Sequence, residues 1–178
     1  MKILKMILLV IAIIIAIPLV LALFIKRDYS VQRDITINKS NTIVYDYVKY
    51  LKNQEQYSKW VMTDPAMRKQ LSGTDGTVGF VYAWDSDNKQ AGKGEQEITK
   101  LMEGKEVDTE VRFEKPMKGI ASIKMFTEDI GNNQTKVSWG MTGKNNYPMN
   151  FMNLFMGNML GKDLDVSLNN LKTILERK

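Results

Sequence analysis

The sequence predicts an α+β fold in which a curved antiparallel sheet wraps on a long C-terminal helix, preceded by one transmembrane helix. Three observations support this prediction. They are an uncharged N-terminal run, a middle region of short β-rich segments separated by turns, and an amphipathic segment at the end. The 178 residues suffice for an anchor and one domain with a sizeable core. We therefore expect a membrane anchor over residues 1–28 and a single domain over residues 29–178.

The N-terminal run, residues 6–25, carries no charged side chain, and basic residues flank it on both sides. At about 1.5 Å per residue, a helix of this length spans the roughly 30 Å hydrocarbon core of a bilayer. A cleaved signal peptide is the alternative, but its apolar region is usually only about 7–15 residues long. We interpret the run as a single-pass membrane anchor. The short basic N-terminus favours an extracytoplasmic domain, although basic residues on both flanks leave the positive-inside rule nearly undecided.

Composition excludes several kinds of chemistry. The net charge is +5, and most of the excess lies beside the apolar run, which leaves no basic stripe of the kind that nucleic-acid binders display. The chain contains no His and no Cys, so it can form neither a Ser-His-Asp triad nor a thiolate or imidazole metal site. We expect no nucleic-acid partner, no metal and no cofactor.

Hydrophobic periodicity predicts the elements of the domain. Val31, Ile35 and Ile37 share one face of a strand, and residues 41–51 form an amphipathic helix that Asn38 or Ser40 can cap. A second helical piece is expected over residues 54–60. Six strands then follow in an antiparallel meander, at residues 67–71, 77–85, 94–102, 105–114, 118–130 and 134–142. The last helix occupies residues 151–178 and carries an apolar stripe.

Several short motifs in this order resemble those of one superfamily. They are Trp60, GFVYAW at 79–84, GKGEQEI at 92–98, FEKP at 113–116, TKVSWGM at 135–141 and LNNLK at 168–172. Over residues 29–178 the chain resembles the START-like, or SRPBCC, superfamily, whose members have the helix-grip fold. Within it, the chain looks like the bacterial polyketide cyclase/dehydrase-type proteins that carry an N-terminal membrane anchor. None of the shared motifs is catalytic.

The resemblance implies a cavity between the sheet and the C-terminal helix that holds a hydrophobic small molecule or a lipid. The expected function is therefore membrane-tethered ligand binding, with residues 6–25 in the membrane. The superfamily contains carriers, cyclases and activators, so the fold alone does not decide the function. A polyketide cyclase/dehydratase-like enzyme and a ligand-free protein-interaction or envelope-stress module are the alternatives.

Aromatic side chains are the candidates for the cavity wall. Phe80, Tyr82 and Trp84 alternate and so share one face of a strand, where rings of this size need burial. Ordinary core packing is the alternative to a cavity wall. Residues 145–156 are rich in Met and Phe and predict a core filler, a pliable gate or a surface that dips into the membrane. The candidate ligand-binding residues are Trp60, Phe80, Tyr82, Trp84, Phe113, Trp139, Tyr147, Phe151 and Phe155.

Acid–base chemistry would need a carboxylate, a lysine, an arginine or a tyrosine that faces the cavity. Glu95 and Glu97 share one face of a strand, and they are the first candidates together with Asp85 and Arg112. Because Ile98 is the apolar member of its strand, we expect the glutamates to face solvent. The segment GKG is not a phosphate-binding loop, since the motif G-x-x-x-x-G-K-[ST] is absent.

Overall fold

The computed structural model of the protein describes residues 2–177. The helices are α1 (Lys2–Phe24), α2 (Asn41–Val48), α3 (Gln54–Tyr57), α4 (Lys59–Met62) and α5 (Asn153–Arg177), with 3₁₀ turns at Leu51–Asn53 and Met149–Met152. The strands are β1 (Asp28–Ile37), β2 (Arg68–Ser72), β3 (Val81–Asp85), β4 (Lys93–Met102), β5 (Glu106–Lys115), β6 (Gly119–Gly131) and β7 (Gln134–Lys144). The predicted order of elements is confirmed.

The seven strands form one antiparallel sheet in the order β1-β7-β6-β5-β4-β3-β2. Consecutive strands β2 to β7 are neighbours, as expected for a meander, and β1 joins the free edge of β7. The register places Asp28 opposite Lys144 and Phe113 opposite Gly119. The start of β1, the end of β7 and the β5–β6 connection therefore lie at one end of the sheet, which we call the mouth end.

Three boundaries differ from the prediction for local backbone reasons. The helix expected over residues 41–51 ends at Val48, because Tyr50 is extended with a ψ of 115°. The strand expected from residue 77 begins only at Val81, because Gly76 and Gly79 have φ values of 79° and 87° and hold a turn there. The helix expected over residues 54–60 is interrupted at Ser58, whose ψ of 119° is extended. Ser40 occupies the N-cap position of α2 but makes no side-chain capping hydrogen bond.

Helix α5 provides the buried stripe that closes the sheet. Leu164, Leu168, Leu171 and Leu175 recur at three- and four-residue spacing, and each is at most 2% exposed. They pack in one cluster with residues of the sheet such as Val137. Full burial of one such side chain contributes about 1.5–3 kcal/mol. The second half of α5 is therefore the part of the helix that fixes it on the sheet.

Helices α3 and α4 are tied to α5 by polar contacts. The backbone N–H of Lys59 donates to Ser167 Oγ at 2.9 Å, and the Lys59 ammonium pairs with Asp163. The side-chain amide of Asn170 donates to the carbonyl of Tyr57 at 3.2 Å. These contacts hold α3 and α4 beside α5.

Helix α1 is long and apolar enough to cross a membrane, and within it only Ala22 is buried. Its end is joined to the turn before α5. The amide of Asn150 donates to the carbonyls of Ala22 at 2.6 Å and Ile25 at 2.8 Å. The amide of Asn153 donates to the carbonyls of Lys26 and Arg27, both at 2.9 Å. The segment that follows α1 is thus fixed to the residues that precede and begin α5.

The Glu106 carboxylate is a buried charge whose loss we expect to destabilise the protein in a pH-dependent way. A hydrogen bond from Lys100 at 2.7 Å, opposed by burial and reinforced by Lys124 at 3.2 Å, lowers the pKa of Glu106 to about 2. A folded-state pKa below the unfolded value stabilises the fold above about pH 4–5, and this contribution disappears as the pH falls toward 2. Both lysines are half-exposed, so we expect Glu106→Gln to cost about 1–2 kcal/mol at pH 7.

Urea unfolding of the full chain in mild detergent at pH 7 and at pH 2 measures this effect. The variant and the native chain should converge at pH 2. Glu103→Gln is the matched control, because that side chain is 80% exposed and its nearest cation lies 3.8 Å away. A deficit in Glu106→Gln that persists unchanged at pH 2 would contradict the assignment.

Candidate functional site

A cavity of about 660 Å³ lies between the sheet, helices α3 and α4, and the first half of α5. Val111 of β5 and Met141 of β7 line it from the sheet, Val61 lines it from α4, and Leu160 lines it from α5. The connections at the mouth end, residues 115–119 and 144–149, complete its rim. Small-molecule sites usually have volumes of about 300–1,000 Å³, so this cavity has room for a ligand.

Aromatic rings in edge-to-face contact form much of the wall. The ring of Trp139, 1% exposed, lies 6.0 Å from that of Trp60 with an interplanar angle of 82°. The ring of Trp84 lies 6.3 Å from that of Phe113 at 81°. Such pairs contribute about 0.5–1.5 kcal/mol beyond their buried area, so the wall is preorganised.

Gly94 provides the space in which the Trp84 ring lies. A Cβ at Gly94 would be 2.9 Å from this ring and 2.6 Å from the carbonyl oxygen of Arg112. The indole N–H of Trp84 donates to the carbonyl of Ala91 at 3.0 Å, which fixes the orientation of the ring. The second glycine of GKG is therefore a packing requirement of the cavity wall.

We expect Gly94→Ala to destabilise the protein by about 1–3 kcal/mol and to displace the Trp84 ring, because backbone and ring both lie too close for a methyl group. Thermal unfolding and tryptophan emission of the full chain measure the two effects. Gly157→Ala is the control. Nothing lies within 4 Å of its added Cβ on the exposed face of α5, so it should stabilise the helix by up to about 1 kcal/mol. Equal effects of the two substitutions would contradict the assignment.

Three buried polar side chains interrupt the apolar lining. They are Gln54, Ser58 and Gln96, and each is at most 7% exposed. The amide of Gln96 donates to Thr109 Oγ1 at 2.9 Å. The side chains of Gln54 and Ser58 have no hydrogen-bond partner within residues 2–177. They leave donors and acceptors available to a bound molecule or to water.

Two further buried donors lie in the same region. The indole N–H of Trp139 and the hydroxyl of Tyr57, in rings 5.8 Å apart, are both buried without a partner among the described residues. Burial raises the pKa of Tyr57, so its hydroxyl stays protonated at neutral pH. An unsatisfied buried donor costs about 1–3 kcal/mol, and neither of these two atoms is exposed to the cavity.

The charged side chains that line the cavity are all lysines. Lys115, Lys118 and Lys144 lie at the mouth end, they are exposed, and none forms an ion pair within the described part of the chain. No carboxylate lines the cavity among residues 2–177. The cavity thus combines an apolar interior with a positively charged rim.

Solved structures with the same architecture include the Aha1 dimer from Colwellia psychrerythraea, 20% identical with a TM-score of 0.57 over 83% of this chain and 96% of that one. CalU16 from Micromonospora echinospora is 9% identical with a TM-score of 0.56, over 82% of this chain and 75% of that one. A protein from Mesorhizobium loti is 10% identical with a TM-score of 0.62, over 84% and 98%. The chain has the helix-grip fold. No family model and no curated protein matches the sequence.

The helix-grip fold brings six of the nine candidate ligand-binding residues to the cavity. Their side chains line its wall or rim, although ligand binding by them stays a prediction. Tyr82 is held by a hydrogen bond from its hydroxyl to Glu55 at 2.9 Å, and burial, followed by this bond, raises the pKa of Tyr82. The six are Trp60, Tyr82, Trp84, Phe113, Trp139 and Tyr147.

The other three aromatic candidates do not line this cavity, and ligand binding by them stays a prediction. Phe80, 2% exposed, precedes β3 and packs into a separate core cluster with residues such as Leu51 and Ile98. Phe151 and Phe155 pack edge-to-face against each other at 5.6 Å, and Phe155 is 52% exposed. The spacing of apolar residues predicts that such rings are buried, but it does not predict which apolar residues they pack against.

None of the four acid–base candidates lines the cavity. Arg112 pairs with Glu95 at 2.6 Å, Glu97 at 2.7 Å and Glu110 at 2.8 Å. Gln96 and Ile98 between and beside these glutamates are buried, as the sequence predicted. Asp85 forms an ion pair with the adjacent strand β2. Glu95 and Glu97 therefore belong to a charge cluster, and Asp85 to a separate ion pair, on the sheet face opposite the cavity.

Sequence reasoning missed two of the three buried polar side chains of the site, Gln54 and Ser58. Gln54 and Ser58 enter the cavity because the helical piece breaks at Ser58, which periodicity did not reveal. The burial of Gln96 was predictable, since it lies two positions before the apolar Ile98 and therefore shares its face of the strand. The rim lysines looked like ordinary solvated residues, and only the strand register brings Lys115 and Lys144 to the same end of the sheet.

Proposed function

We propose that the protein binds a hydrophobic small molecule or a lipid in the cavity between its sheet and its C-terminal helix. The observation that carries the proposal is the open 660 Å³ cavity with its aromatic wall. Helix-grip proteins of the SRPBCC type hold hydrophobic ligands, and this chain shares their fold. Removing apolar ligand surface from water contributes about 25 cal/mol per Å², before the costs of association are subtracted.

The polar groups of the wall orient the ligand in this proposal. Gln54 and Ser58 line the cavity and offer an amide and a hydroxyl without internal partners. A few convergent polar groups in an apolar pocket are the usual source of ligand specificity. The preferred ligand is therefore a mainly apolar molecule with at least one hydrogen-bonding group.

We further propose that α1 anchors the protein in a membrane by a single pass and that residues 29–178 form the ligand-binding domain on the extracytoplasmic side. The length and apolar composition of α1 support the anchor. Its side chains are exposed along almost the whole helix, so it is not a core helix of the fold. A tether of this kind would keep the cavity within reach of membrane lipids.

The residues that line the cavity do not favour a catalytic function. General acid–base chemistry needs a group that reaches the ligand, and none of the carboxylates in residues 2–177 lines the wall. The ionisable groups present are the rim lysines and tyrosines such as Tyr82, whose pKa is raised. A ligand-free interaction module is likewise not favoured, because such a role requires no cavity.

Native mass spectrometry of the full chain, extracted from membranes in a mild detergent, tests the proposal. We expect a species with one bound lipid or small hydrophobic molecule that survives exchange into a second detergent. Denaturation should release the adduct for identification by its exact mass. A chain that carries no adduct, and acquires none when incubated with a total lipid extract, would contradict ligand binding.

A further inference from the structure

We propose that the mouth of the cavity docks on the surface of an anionic bilayer, so that ligands enter the cavity from that surface. This inference rests on the proposed function, since it takes α1 to span the membrane. It adds an orientation and a lipid charge preference, which the anchor alone does not imply. Four observations at the mouth end support it.

The first observation is that no free linker separates α1 from the mouth. Helix α1 ends at Phe24 and β1 begins at Asp28. Asn150, 1% exposed, binds the carbonyls of Ala22 and Ile25 at 2.6 and 2.8 Å. The mouth end is therefore fixed against the point where the chain leaves the proposed membrane span.

The second observation is a direct connection between the cavity rim and that exit point. The backbone N–H of Asn145 donates to the carbonyl of Arg27 at 2.9 Å, and Asn145 itself lines the cavity. The preceding residue, Lys144 at the end of β7, pairs in register with Asp28. The rim thus begins within one hydrogen bond of the segment that follows α1.

The third observation is a cluster of exposed apolar side chains around the rim. An unpartnered apolar surface of this kind usually marks a protein or membrane contact. Here its position beside the end of α1 selects the membrane, because a helix that spans the bilayer places the surface at headgroup depth. The rim members, each 41–59% exposed, are Met117, Ile120, Tyr147 and Met149, and the exposed Leu154 and Phe155 follow in the first turn of α5.

The fourth observation is the charge around this apolar cluster. Lys26 and Arg27 follow α1, and Lys115, Lys118 and Lys144 line the rim. None of the five forms an ion pair within residues 2–177. Basic residues beside an apolar surface favour anionic headgroups, by about fivefold in affinity for each residue at the surface. The basic residues and the exposed apolar side chains are thus both suited to contact with the surface of an anionic bilayer.

Because the chain contains no cysteine, single-cysteine variants can carry an environment-sensitive fluorophore at chosen sites. Ile120→Cys and Met149→Cys place the probe at the mouth. Ile130→Cys is the matched control, since this residue is 45% exposed near the other end of β6, about 30 Å away along the strand. Leu9→Cys reports on α1 itself. The full chain is reconstituted into phosphatidylcholine vesicles with about one third phosphatidylglycerol, with and without spin-labelled lipid.

We expect spin-labelled lipid to quench the probes at 120 and 149 at least about threefold more than the probe at 130. Replacing Lys115, Lys118 and Lys144 together by Gln, or omitting phosphatidylglycerol, should reduce this difference by half or more. Equal weak quenching at 120, 149 and 130, with strong quenching at position 9, would overturn the docking proposal but not the anchor. Weak quenching at position 9 would instead refute the membrane span on which both rest.

Discussion

Substituting tryptophan for Val111 or for Leu160 is expected to weaken retention of the ligand by about tenfold or more. The two residues line the cavity from opposite walls, on β5 and on α5, and they are 5% and 9% exposed. An added indole ring occupies the space in which the ligand would lie. Displacing it or the wall costs about 1–3 kcal/mol, which corresponds to a loss of affinity of about tenfold or more. Adduct occupancy in native mass spectrometry measures this loss.

The cavity offers room for the new ring, so both variants should fold. Val166→Trp is the matched control, since Val166 is 44% exposed on α5 and does not line the cavity. Its occupancy should equal that of the native chain. If both filling variants keep the native unfolding temperature and the native occupancy, the ligand does not lie in this cavity.

Asn150→Leu is expected to release the turn at Met149–Met152 from the end of α1. The side-chain amide of Asn150 is the donor to both the Ala22 and the Ile25 carbonyl, and it is buried. Leaving the buried Ala22 carbonyl and the part-buried Ile25 carbonyl without their donor costs about 2–3 kcal/mol. The local opening equilibrium should rise by roughly thirtyfold or more.

Hydrogen–deuterium exchange of residues 145–156 in the full chain measures this opening. Asn158→Leu is the control, because Asn158 is exposed on α5 and makes no side-chain hydrogen bond among the described residues. Exchange in the long β6 and β7 strands should be unchanged in both variants. The same exchange rate over residues 145–156 in the two variants would show that Asn150 does not hold the turn.

The order of the elements was predictable because each one follows from local periodicity. Gln96 and Ile98 alternate with two glutamates, which predicted the inward face of β4. The apolar stripe through Leu164 and Leu171 predicted the buried face of α5. Boundaries were less predictable where a backbone feature interrupts a pattern, as the turn at Gly79 does before β3.

The site was only partly predictable, because a cavity depends on which surfaces meet. Alternation placed Phe80 and Tyr82 on one face, and both join the same core cluster, yet only Tyr82 also lines the cavity. Likewise Asn150 carries no sequence signal, since its partners are carbonyls more than a hundred positions away in the chain. Such contacts arise only from the tertiary arrangement of α1, the sheet and α5.

The three tryptophans of the chain allow the central claim to be tested directly, because Trp60, Trp84 and Trp139 all line the cavity. Dibromostearate, whose bromines quench neighbouring indoles, is titrated into the delipidated full chain held in a bilayer nanodisc of unbrominated lipid. Occupation of the cavity predicts loss of most of the tryptophan emission, saturating at one equivalent per chain, and reversal by unbrominated stearate. Weak quenching that grows linearly with added dibromostearate and never saturates would contradict a ligand-binding cavity.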